Sequence, residues 1–101
     1  MSTLVLWEVK LKPELRAAAE QSVLELLPGT RSFPGCQRIE PHRSQANPSH
    51  LLLVEYWDSF EHYQKYVRWR RDTGVLPDFL KMCASDPIVQ SFDLIESGDL
   101  R

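Results

Sequence analysis

Residues 51–54 read Leu-Leu-Leu-Val, an unbroken apolar run inside the segment His50 to Asp58. A strand sends successive side chains to opposite faces. The run therefore predicts a strand apolar on both sides, as suits a central place in a covered sheet. Thr3 to Leu11 repeats the pattern in part. Val5, Trp7, Val9 and Leu11 form one face, while Leu4 and Leu6 precede Glu8 and Lys10 on the other. A chain of 101 residues buries roughly 65% of its unfolded surface, enough for one modest core. Covering both faces of a sheet is difficult at that size.

The remaining segments supply the other elements. Pro13 fits the first turn of a helix, and Leu15, Ala18, Ala19, Val23, Leu26 and Leu27 follow at helical spacing. Pro28-Gly29 predicts its end. Arg31 to Gly35 reads as a loop, Cys36 to Glu40 as a short second strand, and Pro41 to Ser49 as a polar connection with Asn47-Pro48 as a turn signal. Ser59 predicts the N-cap of a second helix running to about Asp72, and Thr73-Gly74 breaks it. Leu76, Phe79, Leu80 and Met82 suggest further helical turns. Pro87 to Ile95 reads as a last strand and Ser97 to Arg101 as a polar tail.

The order β-α-β-β-α-β is the ferredoxin-like split pattern of the α+β class, in one domain over residues 1–101 with a core of about 3–95. Right-handed crossovers are expected to set strands one and three side by side and parallel, with both helices on one sheet face. On that reading Leu4, Leu6, Leu51 and Leu53 lie on the uncovered face. A second copy of the chain is the simplest cover, so a homodimer through the sheet faces is expected, burying on the order of 1,600 Å2.

Composition removes several classes. Twelve basic and fourteen acidic residues leave a net charge of −2, so no cationic field draws nucleic acid or anionic membrane. Two cysteines are too few for a disulfide scaffold. The N-terminus predicts neither a signal peptide nor a membrane span, so a cytoplasmic protein with reduced thiols is expected. No metal is expected, because Glu40, His42 and His50 have no recognised ligand spacing.

Phe33-Pro34-Gly35-Cys36 before a short strand, Asn47-Pro48 in the hairpin, and Leu53-Val54-Glu55-Tyr56-Trp57-Asp58-Ser59 entering a helix together resemble the antibiotic biosynthesis monooxygenase domain, over about residues 3–95. The resemblance implies a dimeric α+β barrel. It also implies the possible activities of that family, which holds cofactor-free quinol-forming and quinone-forming oxygenases, haem-degrading oxygenases and proteins of unknown role. Two histidines common in the family's second helix fall on Tyr66 and Arg71. The Asn, Trp and His set of the haem-degrading branch falls on Trp7, Tyr66 and roughly Leu76. Haem degradation is thereby disfavoured, and no cofactor is expected.

The second helix is the richest segment. His62, Tyr66 and Trp69 fall on one stripe, and Phe60, Tyr63 and Val67 on the next. Trp7 and Val9 of strand one are expected to meet this helix, with Val54, Tyr56 and Leu52 of strand three beside it. Such an aromatic cleft with few polar groups suits a small aromatic ligand, though aromatic residues at this spacing also simply fill cores. His62 is the expected catalytic base, histidine being the side chain most often suited to proton transfer at physiological pH, with Tyr66 as the second catalytic residue. Trp7, Val9, Val54, Tyr56, Trp57, Tyr63 and Trp69 are the expected substrate-binding residues. The activity expected is oxidation of a small phenol or quinol by dioxygen. The alternative is a non-catalytic dimeric module that binds a small ligand or merely assembles. Glu8 and Glu55 are expected to share the non-helical face, near Lys10 and Arg38, as part of an interface ion network. Lys65, Arg68, Arg70 and Arg71 read as a solvated helix face.

Overall fold

A computed structural model describes residues 2–95, so the polar tail expected at 97–101 lies outside the described residues. Strand β1 spans Thr3–Lys10. A short 3-10 turn, Pro13–Leu15, leads into α1, Arg16–Ser32. Strands β2, Cys36–Arg43, and β3, His50–Trp57, form a hairpin. Helices α2, Phe60–Asp72, and α3, Val75–Leu80, precede β4, Ile88–Asp93. The sheet order is β2-β3-β1-β4. This is the expected ferredoxin-like α+β fold, with one open sheet.

The strand directions differ from the expectation. Strand β1 runs antiparallel to β3, with Val5 opposite Glu55, Trp7 opposite Leu53 and Val9 opposite Leu51. The crossover through α1 makes β2, not β3, parallel to β1. The hairpin then reverses the chain, and β3 inserts between them. Residues paired across an antiparallel ladder share a face. Leu51, Leu53, Glu55 and Trp57 therefore join Val5, Trp7 and Val9 beneath the helices. Leu52, Val54 and Tyr56 join Leu4, Leu6 and Glu8 on the open face. The phase expected for β3 is thus inverted, and Glu8 and Glu55 lie on opposite sides of the sheet.

Helix α1 also departs from the expectation by running through Pro28 and Gly29. Its end is set five residues later, where Pro34 drives Phe33 to an extended backbone, ψ 136°. The buried stripe Ala19, Val23, Leu27 and Thr30 continues across the proline, so packing outweighs the lost backbone bond. Gly29 has a second use. A Cβ there would lie 3.0 Å from Nη2 of Arg70, so the glycine admits α2 to close range. Strand β2 is longer than expected and includes Pro41, which an edge strand tolerates.

Helix α2 begins as expected. The Ser59 hydroxyl accepts from the backbone N–H of His62 at 3.2 Å. Gly74, at φ 84°, separates α2 from α3. The covered face holds two apolar clusters. One joins Val9, Leu51 and Leu53 to Ala19, Val23 and Phe79. The other joins Val5, Trp57 and Tyr63. Trp7 packs against both. On the open face, half-buried Leu4, Leu6, Val54 and Tyr56 lie beside exposed Leu52 and Phe92. Every residue of β4 is exposed. No described helix is long and apolar enough to cross a membrane.

Candidate active site

Between the sheet and the helices lies a cavity of about 80 Å3. Its wall includes Trp7, Ile39, Leu53 and Glu55 from the sheet, Thr30 from α1, Tyr66 and Arg70 from α2, and Leu76 and Phe79 from α3. Two charged residues thus belong to an otherwise mostly apolar wall.

Glu55 is 3% exposed. Its strand neighbours are Val5 and Ile39, which offer its carboxyl no solvation. Oε1 accepts from Nε1 of Trp57 at 2.9 Å. Oε2 makes no hydrogen bond to a described residue, yet it is not sealed in, as its place in the cavity wall requires. Burial pushes the carboxyl up to about 7, against the pull of the Trp57 bond. The group therefore changes charge near neutral pH.

Opposite it, Thr30, Tyr66 and Arg70 form one network. The hydroxyls of Thr30 and Tyr66 lie 2.6 Å apart. Arg70 donates from Nε to the Tyr66 hydroxyl at 3.0 Å and from Nη2 to the carbonyl of Leu26 at 3.0 Å and to Thr30 at 3.2 Å. Its guanidinium lies 4.2 Å from the Trp69 ring centroid. Burial raises the Tyr66 phenol above its ordinary range, opposed by the bonds from Thr30 and Arg70. Burial raises the Tyr63 phenol too, with the Glu55 charge adding to it. The Tyr63 hydroxyl accepts from Nε1 of Trp7 at 2.8 Å.

The structure brings some of the expected site residues together and separates others. Tyr66 and Trp7 line the cavity. So does Leu76, the third position the family resemblance set against the haem-degrading residues. Val9, Trp57 and Tyr63 are buried around the cavity without lining it. Trp69 lies outside, stacked on Phe33 at 5.3 Å. Val54 and Tyr56 point to the open face, because β3 has the opposite phase from the one expected. His62 is outside the wall as well. Its Nδ1 lies 2.7 Å from the Ser59 hydroxyl, and its ring lies against Gly35.

The ion network expected for Glu55 is absent among the described residues. Arg38 pairs instead with Glu40, and Glu8 with His50 at 3.2 Å. Nor is the basic run of α2 uniformly solvated. Lys65, Arg68 and Arg71 are exposed, but Arg70 is 8% exposed. Sequence reasoning read Arg70 as solvated, missed Thr30 and misplaced Glu55. The available signal was spacing: Arg70 follows Tyr66 by four residues, and Thr30 extends the stripe of Val23 and Leu27.

Comparison with known proteins agrees with this architecture. A Mycobacterium tuberculosis protein superposes with a TM-score of 0.86 at 14% identity, covering 98% of this chain and 100% of its own. A candidate antibiotic biosynthesis monooxygenase of Deinococcus radiodurans gives 0.85 at 16% identity, covering 98% of each chain. A third structure, named as an antibiotic biosynthesis monooxygenase, gives 0.83 at 21% identity over 95% of this chain and 100% of its own. At these identities the likeness is one of fold. No curated protein matches in sequence. The sequence pattern of one family, described as antibiotic biosynthesis monooxygenase, matches residues 3–71, more than half of the chain, and the chain belongs to that family.

Proposed function

We propose that the protein is a monooxygenase that oxidises a small phenol or quinol with dioxygen, and that Glu55 is its base. The observation that carries this reading is a carboxyl with one free oxygen in an apolar cavity, held near pKa 7. A phenol reduces dioxygen readily only as its anion. Glu55 takes the phenolic proton, the Tyr66 hydroxyl orients the substrate oxygen, and the indole of Trp7 faces the ring. The apolar wall keeps water from the intermediate. For a phenol with a free para carbon, the balance closes without another reductant. One oxygen atom becomes the second carbonyl of a para-quinone, the other leaves as water, and the substrate supplies all four electrons.

Two properties of the site limit the substrate. A phenol of ordinary pKa about 10 stands roughly three units above Glu55, so phenols acidified by a ring carbonyl react faster. A cavity that accepts benzene measures about 150 Å3, so a ring enters as the wall gives. The six-residue α3 is the part of the wall too short to hold its shape alone. Oxygen uptake with a panel of phenols and hydroquinones tests the activity, and labelled dioxygen tests its course. One labelled atom in the quinone and one in water are expected. No uptake with any member overturns the proposal.

The active species in this reading is a homodimer that covers Leu4, Leu6, Leu52 and Phe92, and it works in the cytoplasm. The two unpaired thiols, Cys36 and Cys83, favour that compartment.

A further inference from the structure

Arg70 is nine-tenths buried, yet no carboxylate of a described residue comes within ion-pair distance of it. Glu55 belongs to the same cavity wall and does not pair with it. The partners of Arg70 are a phenol, a hydroxyl and a backbone carbonyl, all uncharged. Its Nη1 makes no hydrogen bond to a described residue, although the atom is not sealed in. A buried cation ordinarily carries a counter-ion, because removing a charge from water is costly unless an opposite charge compensates. Here stacking on Trp69 compensates in part. Arg70 belongs to the cavity wall, so the positive potential of its guanidinium reaches a space with low-dielectric walls.

We propose that the substrate carries a permanently anionic group besides its phenol, a carboxylate or its equivalent, and that Arg70 supplies the counter-charge. This rests on the phenol reading and narrows its substrate class. With Nε and Nη2 committed to Tyr66, Leu26 and Thr30, the two Nη1 donors are the unused ones, and a carboxylate oxygen can accept from them in a charge-assisted bond. Thr30 and Tyr66 hold the fork in place from α1 and α2, so it is set before the ligand arrives. Arg70 is thus a specificity residue, while the proton passes to Glu55.

Calorimetric titration under argon with 2,5-dihydroxybenzoate and 2,5-dihydroxybenzamide tests this, since the two share a ring and hydroxyls and only the first carries a negative charge. The wild-type protein is expected to bind the carboxylate at least tenfold more tightly. Arg70→Met is expected to bring that ratio to about one. Should Arg70→Met fail to fold, Arg70→Lys keeps the charge and loses the fork, and its ratio is expected between the two. Equal binding of both probes by the wild-type protein overturns the anionic requirement and leaves the phenol reading standing. A ratio unmoved by Arg70 substitution also overturns the role of Arg70. Binding of neither probe overturns the inference together with the reading on which it rests.

Discussion

Glu55 accepts a hydrogen bond from the indole of Trp57, two residues along the same strand and on the same face. The tryptophan is fully buried and fixes one carboxyl oxygen. The other oxygen remains available to the cavity. That division gives the carboxyl a defined orientation and a titration within the neutral range.

Replacement of Glu55 by Gln preserves shape and the indole bond but removes the titration. Turnover is expected to fall by about 100-fold to 10,000-fold, the usual contribution of a base. In wild-type protein the rate is expected to rise with pH through an inflection near 7. Rate profiles from pH 5 to 9 check both statements.

The same residue governs stability. Its folded pKa, about 7, lies above the ordinary value of 4.5, so the folded state holds the proton more tightly. Stability is therefore fully present below about pH 4.5 and is lost as pH rises through 7. The loss is on the order of 3 kcal/mol. Urea denaturation of wild-type protein and Glu55→Gln at pH 5 and pH 8 is expected to show this slope in the first and not in the second.

Thr30→Val removes the hydroxyl that meets both Tyr66 and Arg70 with little change in volume. Leaving those buried groups short of a partner is expected to cost about 1–3 kcal/mol in chemical denaturation.

Gly35 has φ 92°, and a Cβ there would overlap the ring of His62. Gly35→Ala is expected to lose more than about 2 kcal/mol, from left-handed strain and from overpacking together. Adding His62→Ala relieves only the overpacking, so thermal denaturation of the double variant is expected to recover part of the loss. His62→Ala alone is expected to turn over within a few-fold of wild type.

The open face provides the test of assembly. Leu6 and Phe92 lie on adjacent strands of that face, in neighbouring register. Lysine at both positions places charge where the partner sheet is expected. Sedimentation equilibrium is expected to give a dimer for wild-type protein and one chain for the double variant.

The order of elements was legible in the sequence because its signals are local: the Ser59 cap, the Thr73-Gly74 break and helical spacing in α2. The phase of β3 was not. A run apolar on both sides carries no phase of its own, and its one charge, Glu55, ordinarily marks the exposed face. Here that charge is buried beside the cavity, so the convention pointed the wrong way at a candidate functional residue. Arg70 misled for a similar reason. It sits among solvated basic residues, and only the approach of α1 at Gly29 encloses it. Pro28 reads as a helix end, yet the buried stripe on both sides of it carries the helix onward.

All three tryptophans of the chain stand around one cavity: Trp7 in its wall, Trp57 bonded to Glu55, and Trp69 beneath Arg70. No indole lies elsewhere to dilute the signal. The intrinsic ultraviolet emission of the protein is therefore a report from its candidate active site, sensitive at Trp57 to the charge of one carboxyl and at Trp69 to whatever approaches one guanidinium.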